Sequence, residues 1–102
     1  MTGMTRSSAD LDPRRRRILF RAWHRGIREM DLVLGQFADA EIGTLSDIEL
    51  DELEVIMAEE DQDLIKWVVG EQPIPQQYRT PLFTRIISYR PDFAPLSSGQ
   101  GA

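Results

Sequence analysis

Few side chains in this sequence are of a type that does chemistry. Among 102 residues there is one histidine, His24, and no cysteine. The missing thiol excludes a disulfide scaffold, a thiolate zinc site, an iron–sulfur centre and a cysteine nucleophile together. His24 has no acid three or four residues after it, so the further ligands that a metal needs are missing. A surface or hydrogen-bonding role suits a histidine next to a cationic turn. The hydroxyls lack a partner base, and no glycine-rich phosphate loop is present. Carboxylates abound between positions 47 and 63, but on amphipathic helix faces, where solvation keeps them ionised rather than raising their pKa for acid catalysis. The reading is of a protein that binds rather than an enzyme.

The constellation with most character is Arg25-Gly26-Ile27-Arg28-Glu29. Gly26 has no side chain, so a foreign backbone can approach it closely. Glu29 follows Arg25 by four residues, and the two can face one side across a turn. Charges flanking bare backbone suit polar docking. A helix-boundary glycine among ordinary solvated charges would have the same spacing, and the residues alone leave both readings open. The run Arg14–Arg17 offers an alternative, a small helical regulatory module, antitoxin-like or nucleic-acid-binding. Against nucleic acid, the next helix holds Arg28 as its single base-edge donor, beside Glu29 and Asp31.

Charge is unevenly spread. Residues 1–29 carry eight arginines against three acids, residues 30–75 carry Lys66 against thirteen acids, and residues 76–102 carry three arginines against one acid. The segment nets are +5, −12 and +2, for a total of −5. The acidic body would repel a duplex. Such asymmetry fits steered docking on a partner, and equally a solvated acidic face that keeps the protein soluble.

Helices must position these groups. The length allows one domain, and no apolar run reaches the roughly 18–20 residues that span a bilayer. The first dozen residues lack the apolar core of a secretory signal, so the expectation is a soluble intracellular protein. Residues 1–12 and 91–102 are polar, small or Gly/Pro-rich and are read as flexible tails around a single helical domain at 13–90. Asp12-Pro13 opens the first helix, with Ile18, Leu19, Ala22 and Trp23 inward, and Gly26 marks its boundary. The second carries Ile27, Met30, Val33, Leu34 and Phe37; Gly35 could end it early, and Gly43 is its expected left-handed cap. Ser46-Asp-Ile-Glu49 is a capping box with Leu45 and Leu50 as its staple, opening a third helix to about Glu59. Asp61 is the expected cap of a fourth, holding Leu64, Ile65, Trp67 and Val68 and ending at Gly70. A loop follows to Pro75. Thr80-Pro81 opens a fifth helix, with Leu82, Phe83, Ile86 and Ile87, which Pro91 stops. No segment alternates as a strand does. The expected fold is all-α, a compact five-helix bundle with disordered tails and no internal cofactor cavity.

On these residues the sequence resembles the SdhE family, also called succinate dehydrogenase assembly factor 2 or the flavinylation factor. The family's RGxxE signature between its first two helices is matched by Arg25, Gly26 and Glu29, within the similar stretch Trp23 to Asp31. Leu45-Ser46 before an acidic helix, and Asp61-Gln-Asp63-Leu64 with Trp67 beyond, are similar too, so the likeness covers about residues 14–90. Ala58 and Gln62 depart from the family's usual acid and proline.

The resemblance implies a five-helix assembly factor promoting covalent FAD attachment to the flavoprotein subunit of succinate dehydrogenase, and in some bacteria of fumarate reductase. The bond joins a flavin methyl carbon to a histidine of that client, whose own residues do the chemistry. The chain itself would then hold the partner in a reactive arrangement, with no catalytic residue, stable cofactor or metal of its own. Partner contacts are expected from Arg25, Gly26 and Glu29, supported by Arg28 and Asp31, with His24 at the rim. A monomer is expected, away from membranes and nucleic acid, in the bacterial cytoplasm or the mitochondrial matrix.

Overall fold

The computed structural model describes residues 10–89. Along them run five α-helices: α1 (Pro13–Ala22), α2 (Arg28–Glu41), α3 (Asp47–Met57), α4 (Asp61–Val68) and α5 (Pro81–Ile87). Two short 3₁₀ turns, Ile42–Thr44 and Gln76–Tyr78, complete the path, and no strand occurs among the described residues. The all-α five-helix reading holds.

Local chemistry sets three of the five starts. The Asp12 carboxylate accepts the Arg15 N–H at 2.8 Å, and Thr80 Oγ1 accepts the Phe83 N–H at 3.2 Å, each followed by proline at the first helical position. The predicted capping box is complete: Ser46 Oγ accepts the Glu49 N–H at 3.1 Å while Glu49 Oε1 accepts the Ser46 N–H at 2.9 Å.

Helix α2 is the centre of the packing. It meets α1, α4 and α5, and α3 packs on α5. Its Met30, Val33, Leu34, Phe37 and Ala38 are buried with Ile18, Leu19 and Ala22 of α1, Leu50, Leu53 and Ile56 of α3, Leu64 and Val68 of α4, and Leu82, Phe83 and Ile86 of α5. Removing this apolar surface from water drives the fold. Among the described residues no polar or charged residue is fully buried. The charged groups instead fasten the rim. Arg14 of α1 reaches Asp51 at 2.6 Å and Glu54 at 2.8 Å on α3. Arg85 of α5 bridges Glu41 of α2 at 2.5 Å and Glu49 of α3 at 2.9 Å, and the Tyr89 hydroxyl donates to Glu41 at 2.8 Å. Part of the sequence's charge asymmetry is therefore satisfied within the molecule, arginines from both ends meeting the acidic middle.

Several boundaries differ from expectation, each for a physical reason. Leu11 is buried and its carbonyl accepts from Arg16 Nη1 at 2.6 Å, so the packed chain begins before Pro13. The rest of the expected tails, residues 1–9 and 91–102 with the Pro91 stop, lies outside the described residues, as does residue 90 of the expected domain. Gly35 does not end α2: the Trp23 indole occupies the space of a side chain there, and a Cβ on Gly35 would lie 2.3 Å from its ring. Gly43 sits in a 3₁₀ turn rather than in a left-handed cap, where Arg15 donates to the carbonyls of Ile42 at 2.9 Å and Leu45 at 2.5 Å. Helix α3 stops at Met57, not Glu59, and Glu60 rather than Asp61 is the N-cap of α4; the Asp61 carboxylate is held by Arg25. Ile65 and Trp67 are half-buried. The segment before α5 is not all open loop, since its 3₁₀ turn buries Tyr78, whose hydroxyl donates to Glu59.

The caps and clamps make stability acid-sensitive. The Ser46 N–H and then Arg85 hold the Glu49 carboxyl below its ordinary value of 4.5, and Arg14 does the same for Glu54. A carboxyl whose folded pKa is depressed stabilises fully above its unfolded pKa and loses that contribution as pH falls through the folded one. Thermal melts should therefore be flat from pH 7 to about 5 and fall below the ordinary carboxyl value of 4.5. The variant Glu49→Gln should cost about 1 kcal/mol at pH 7 and melt with a shallower acid dependence.

Candidate functional site

The Arg25–Glu29 segment lies in the connection between α1 and α2 and the first turn of α2. Helix α1 ends as the Trp23 N–H reaches back to Leu19 and Phe20, and the His24 N–H donates to the Arg21 carbonyl at 3.1 Å. Gly26 then takes φ +106°, a backbone conformation that side chains rarely allow. It is exposed, and a Cβ placed on it would meet nothing within 4 Å. Glycine is required here by the backbone, while the space above it stays open.

Arg25 points the other way. Its side chain is only 12% exposed, against 15% for its ion-pair partner Asp61, the two meeting through Nε and Oδ1 at 2.8 Å. Its remaining donors go to the carbonyls of Met57 at 2.5 Å and Glu59 at 2.9 Å. These carbonyls lie at the C-terminal end of α3, where unpaired acceptors and the helix dipole favour a cation. The Arg25 backbone N–H donates to Asp31 Oδ1 at 2.5 Å. The guanidinium thus ties the α1–α2 turn to the α3–α4 junction, and Asp31 closes the turn from α2.

Of the six residues singled out in the sequence, four are exposed: His24, Gly26, Arg28 and Glu29. Arg28 and Glu29 make no hydrogen bond or ion pair with the described residues, so their charges face solvent. Arg25 and Asp31 do not join them; their polar groups are used inside the molecule, which corrects the expectation that Arg25 and Glu29 share one face. Sequence reading also missed three supporting residues: Asp61, which fixes Arg25; Gly35, which seats Trp23 beneath the turn; and Phe20, stacked on His24 at 4.0 Å between ring centroids. A signal for the first was present, since Asp61 begins the downstream segment that accompanies the RGxxE stretch in the resemblance. The Arg14–Arg17 surface fares differently. Arg14, Arg15 and Arg16 are tied to carboxylates or carbonyls of the chain itself. That leaves Arg17 as the one arginine of the run without a hydrogen bond or ion pair to a described residue.

Among the described residues no group of three His, Asp or Glu side chains could hold a metal ion. No helix among them is long and apolar enough to cross a membrane.

The family described as "Sdh5: Flavinator of succinate dehydrogenase" matches residues 16–90, which include the Arg25–Glu29 turn and Asp61. The chain belongs to this family. Its SdhE-type relatives include the FAD assembly factor SdhE of Acetobacter pasteurianus, 38% identical over 78 residues, covering 76% of this chain and 72% of that protein. The mitochondrial succinate dehydrogenase assembly factor 2 of Dictyostelium discoideum is 26% identical over 72 residues, covering 71% of this chain and 51% of that protein. That of Candida glabrata is 31% identical over 77 residues, covering 72% and 50%. The chain thus spans about half the length of these two mitochondrial relatives. No solved structure matches it.

In this SdhE-type chain the turn depends on Trp23 lying flat against Gly35. The Gly35→Ala variant should melt well below the wild type, although alanine gains about 1 kcal/mol of helix propensity, because the indole must move out of a close-packed site at a cost of about 1–3 kcal/mol or more. In a Trp23→Phe background the same substitution should cost less, a relief that paired thermal or urea melts would measure.

Proposed function

We propose that this chain is an assembly factor promoting covalent attachment of FAD to the flavoprotein subunit of succinate dehydrogenase, and that it docks on that subunit through the exposed Gly26 turn. One observation carries the reading: in a chain of the flavinator family, the glycine of the RGxxE stretch stands bare at the surface while its arginine neighbour is anchored beneath it. Gly26 admits the client's backbone. Glu29 and Arg28 supply the charged contacts beside it, and His24 lies at the rim. Arg25 and Asp31 act through the turn, fixing its shape rather than touching the client.

The chemistry in this reading belongs to the client. The new bond joins a flavin methyl carbon to a client histidine, and this chain contributes no acid, base or nucleophile to it; it is not an enzyme. A rigid docking turn favours the reaction by holding the client's parts in register, since orientation alone can lower a barrier by several kcal/mol. FAD is assigned no residue of this chain. The flavoprotein subunit of fumarate reductase, which would undergo the same bond formation, is a second client. The protein acts as a monomer where the subunit matures, in the bacterial cytoplasm or the mitochondrial matrix.

The test is flavin fluorescence of the client on denaturing gels, in cells lacking the native factor and supplied with variants. Glu29→Ala should leave the melting temperature unchanged, as exposed substitutions usually do, yet lower covalent flavin about tenfold, the effect of losing one well-placed interface contact. Full flavinylation with Glu29→Ala would overturn the docking assignment.

A further inference from the structure

Helix α1 presents an outer face that the bundle leaves uncovered and that, His24 just beyond its end apart, the function above has not absorbed. Its core side is Ile18, Leu19 and Ala22. On the opposite side Arg17, Phe20, Arg21 and His24 are all exposed, and their spacing of three and four residues sets them in one stripe. Phe20 is 56% exposed, one of three large apolar side chains so placed among the described residues. It is also held in position. The His24 ring stacks on it at 4.0 Å with an interplanar angle of 19°, and His24 Nδ1 lies 2.6 Å from the Phe20 carbonyl. That carbonyl can only accept, so Nδ1 is the donor of this contact.

The cations of the stripe differ from those before them. Arg14, Arg15 and Arg16 are tied down within the chain, whereas Arg17 and Arg21 make no hydrogen bond or ion pair with the described residues. Both line the groove between α1 and the end of α3, and Arg21 with His24 also borders the α3–α4 junction, facing Glu59, Glu60 and Asp61. Two exposed guanidinium groups flank a preset aromatic pair, Arg17 near enough to Glu54 to help hold that carboxyl below its ordinary value. The stripe ends two residues before Gly26, and on its α3 side it is bordered by Glu54, Glu59, Glu60 and Asp61, of which Glu54 is paired with Arg14 and Asp61 with Arg25.

We infer that this stripe is a second half of the docking surface, binding a carboxylate-rich face of the same client with Phe20 and His24 as its apolar centre. The inference rests on the Gly26 turn being the docking point. Charge decides the occupant: the acids Glu54 and Asp61 beside the stripe are engaged by Arg14 and Arg25, whereas Arg17 and Arg21 hold no ion pair with a described residue, so a carboxylate-bearing partner is drawn to them and its bound orientation is fixed. A flat aromatic pair at the centre of charged neighbours has the make-up of an interface anchor.

Binding of the full chain to the FAD-loaded flavoprotein subunit, followed by titration calorimetry at low and high salt, tests this. Arg17→Glu with Arg21→Glu should weaken binding at least tenfold at low salt and remove most of its salt dependence. Phe20→Ala should weaken it several-fold at both salt levels, and Arg21→Lys should bind nearly as the wild type. All should keep the wild-type melting temperature. If the α1 variants bind as the wild type while Glu29→Ala binds weakly, the stripe is not an interface and the turn still is. If the α1 variants bind weakly and Glu29→Ala does not, the stripe stands and the assignment of the turn fails. If none of them weakens binding, both are wrong.

Discussion

The guanidinium of Arg25 is the constraint on which the rest of the site depends. It extends from the α1–α2 connection into the adjoining gap where α3 stops and α4 starts, with one carboxylate and two carbonyls as its partners. Its donors match acceptors that a helix end leaves unpaired, so its charge is compensated on site. The consequence is geometric. Beside this anchored side chain the next residue, Gly26, turns the chain at positive φ, a conformation that glycine accepts. The outward face of the turn is then backbone, with Arg28 and Glu29 beside it at the start of α2.

This division of labour changes the meaning of the RGxxE spacing. Four residues separate Arg25 from Glu29, yet one serves the interior and the other the surface. The arginine shapes the platform and the glutamate is displayed on it. A motif whose members have different tasks predicts different variant phenotypes: loss of stability for one, loss of partner for the other.

Much of this was legible in the sequence where the signal is local. Asp12-Pro13, Ser46 with Glu49, and Thr80-Pro81 each specify a helix start within four residues, and the apolar periods marked most of the core correctly. The failures share a cause, which is dependence on distant residues. Gly35 is a helix breaker by propensity and stays helical because of an indole twelve positions earlier. Arg25 looks like a surface charge until Asp61, thirty-six residues on, is brought beside it. Arg14 to Arg16 read as a basic patch because their acceptors, on α3 and around Ile42, Leu45 and Leu11, are set by the packing of the bundle. Leu11 lay in a stretch too polar to show a period. The exposed face of α1 carried a helical spacing all along, but nothing in a single sequence separates a free arginine from a paired one.

The claim that Arg25 holds the turn through the α3–α4 junction is tested most directly by a double-mutant cycle on folding stability with Arg25→Ala and Asp61→Ala. The account predicts that Arg25→Ala alone costs about 3 kcal/mol, as breaking a largely buried pair does, and that the two substitutions are coupled by about 1 kcal/mol or more. Costs that add to within about 0.3 kcal/mol would contradict it and return Arg25 to the solvent.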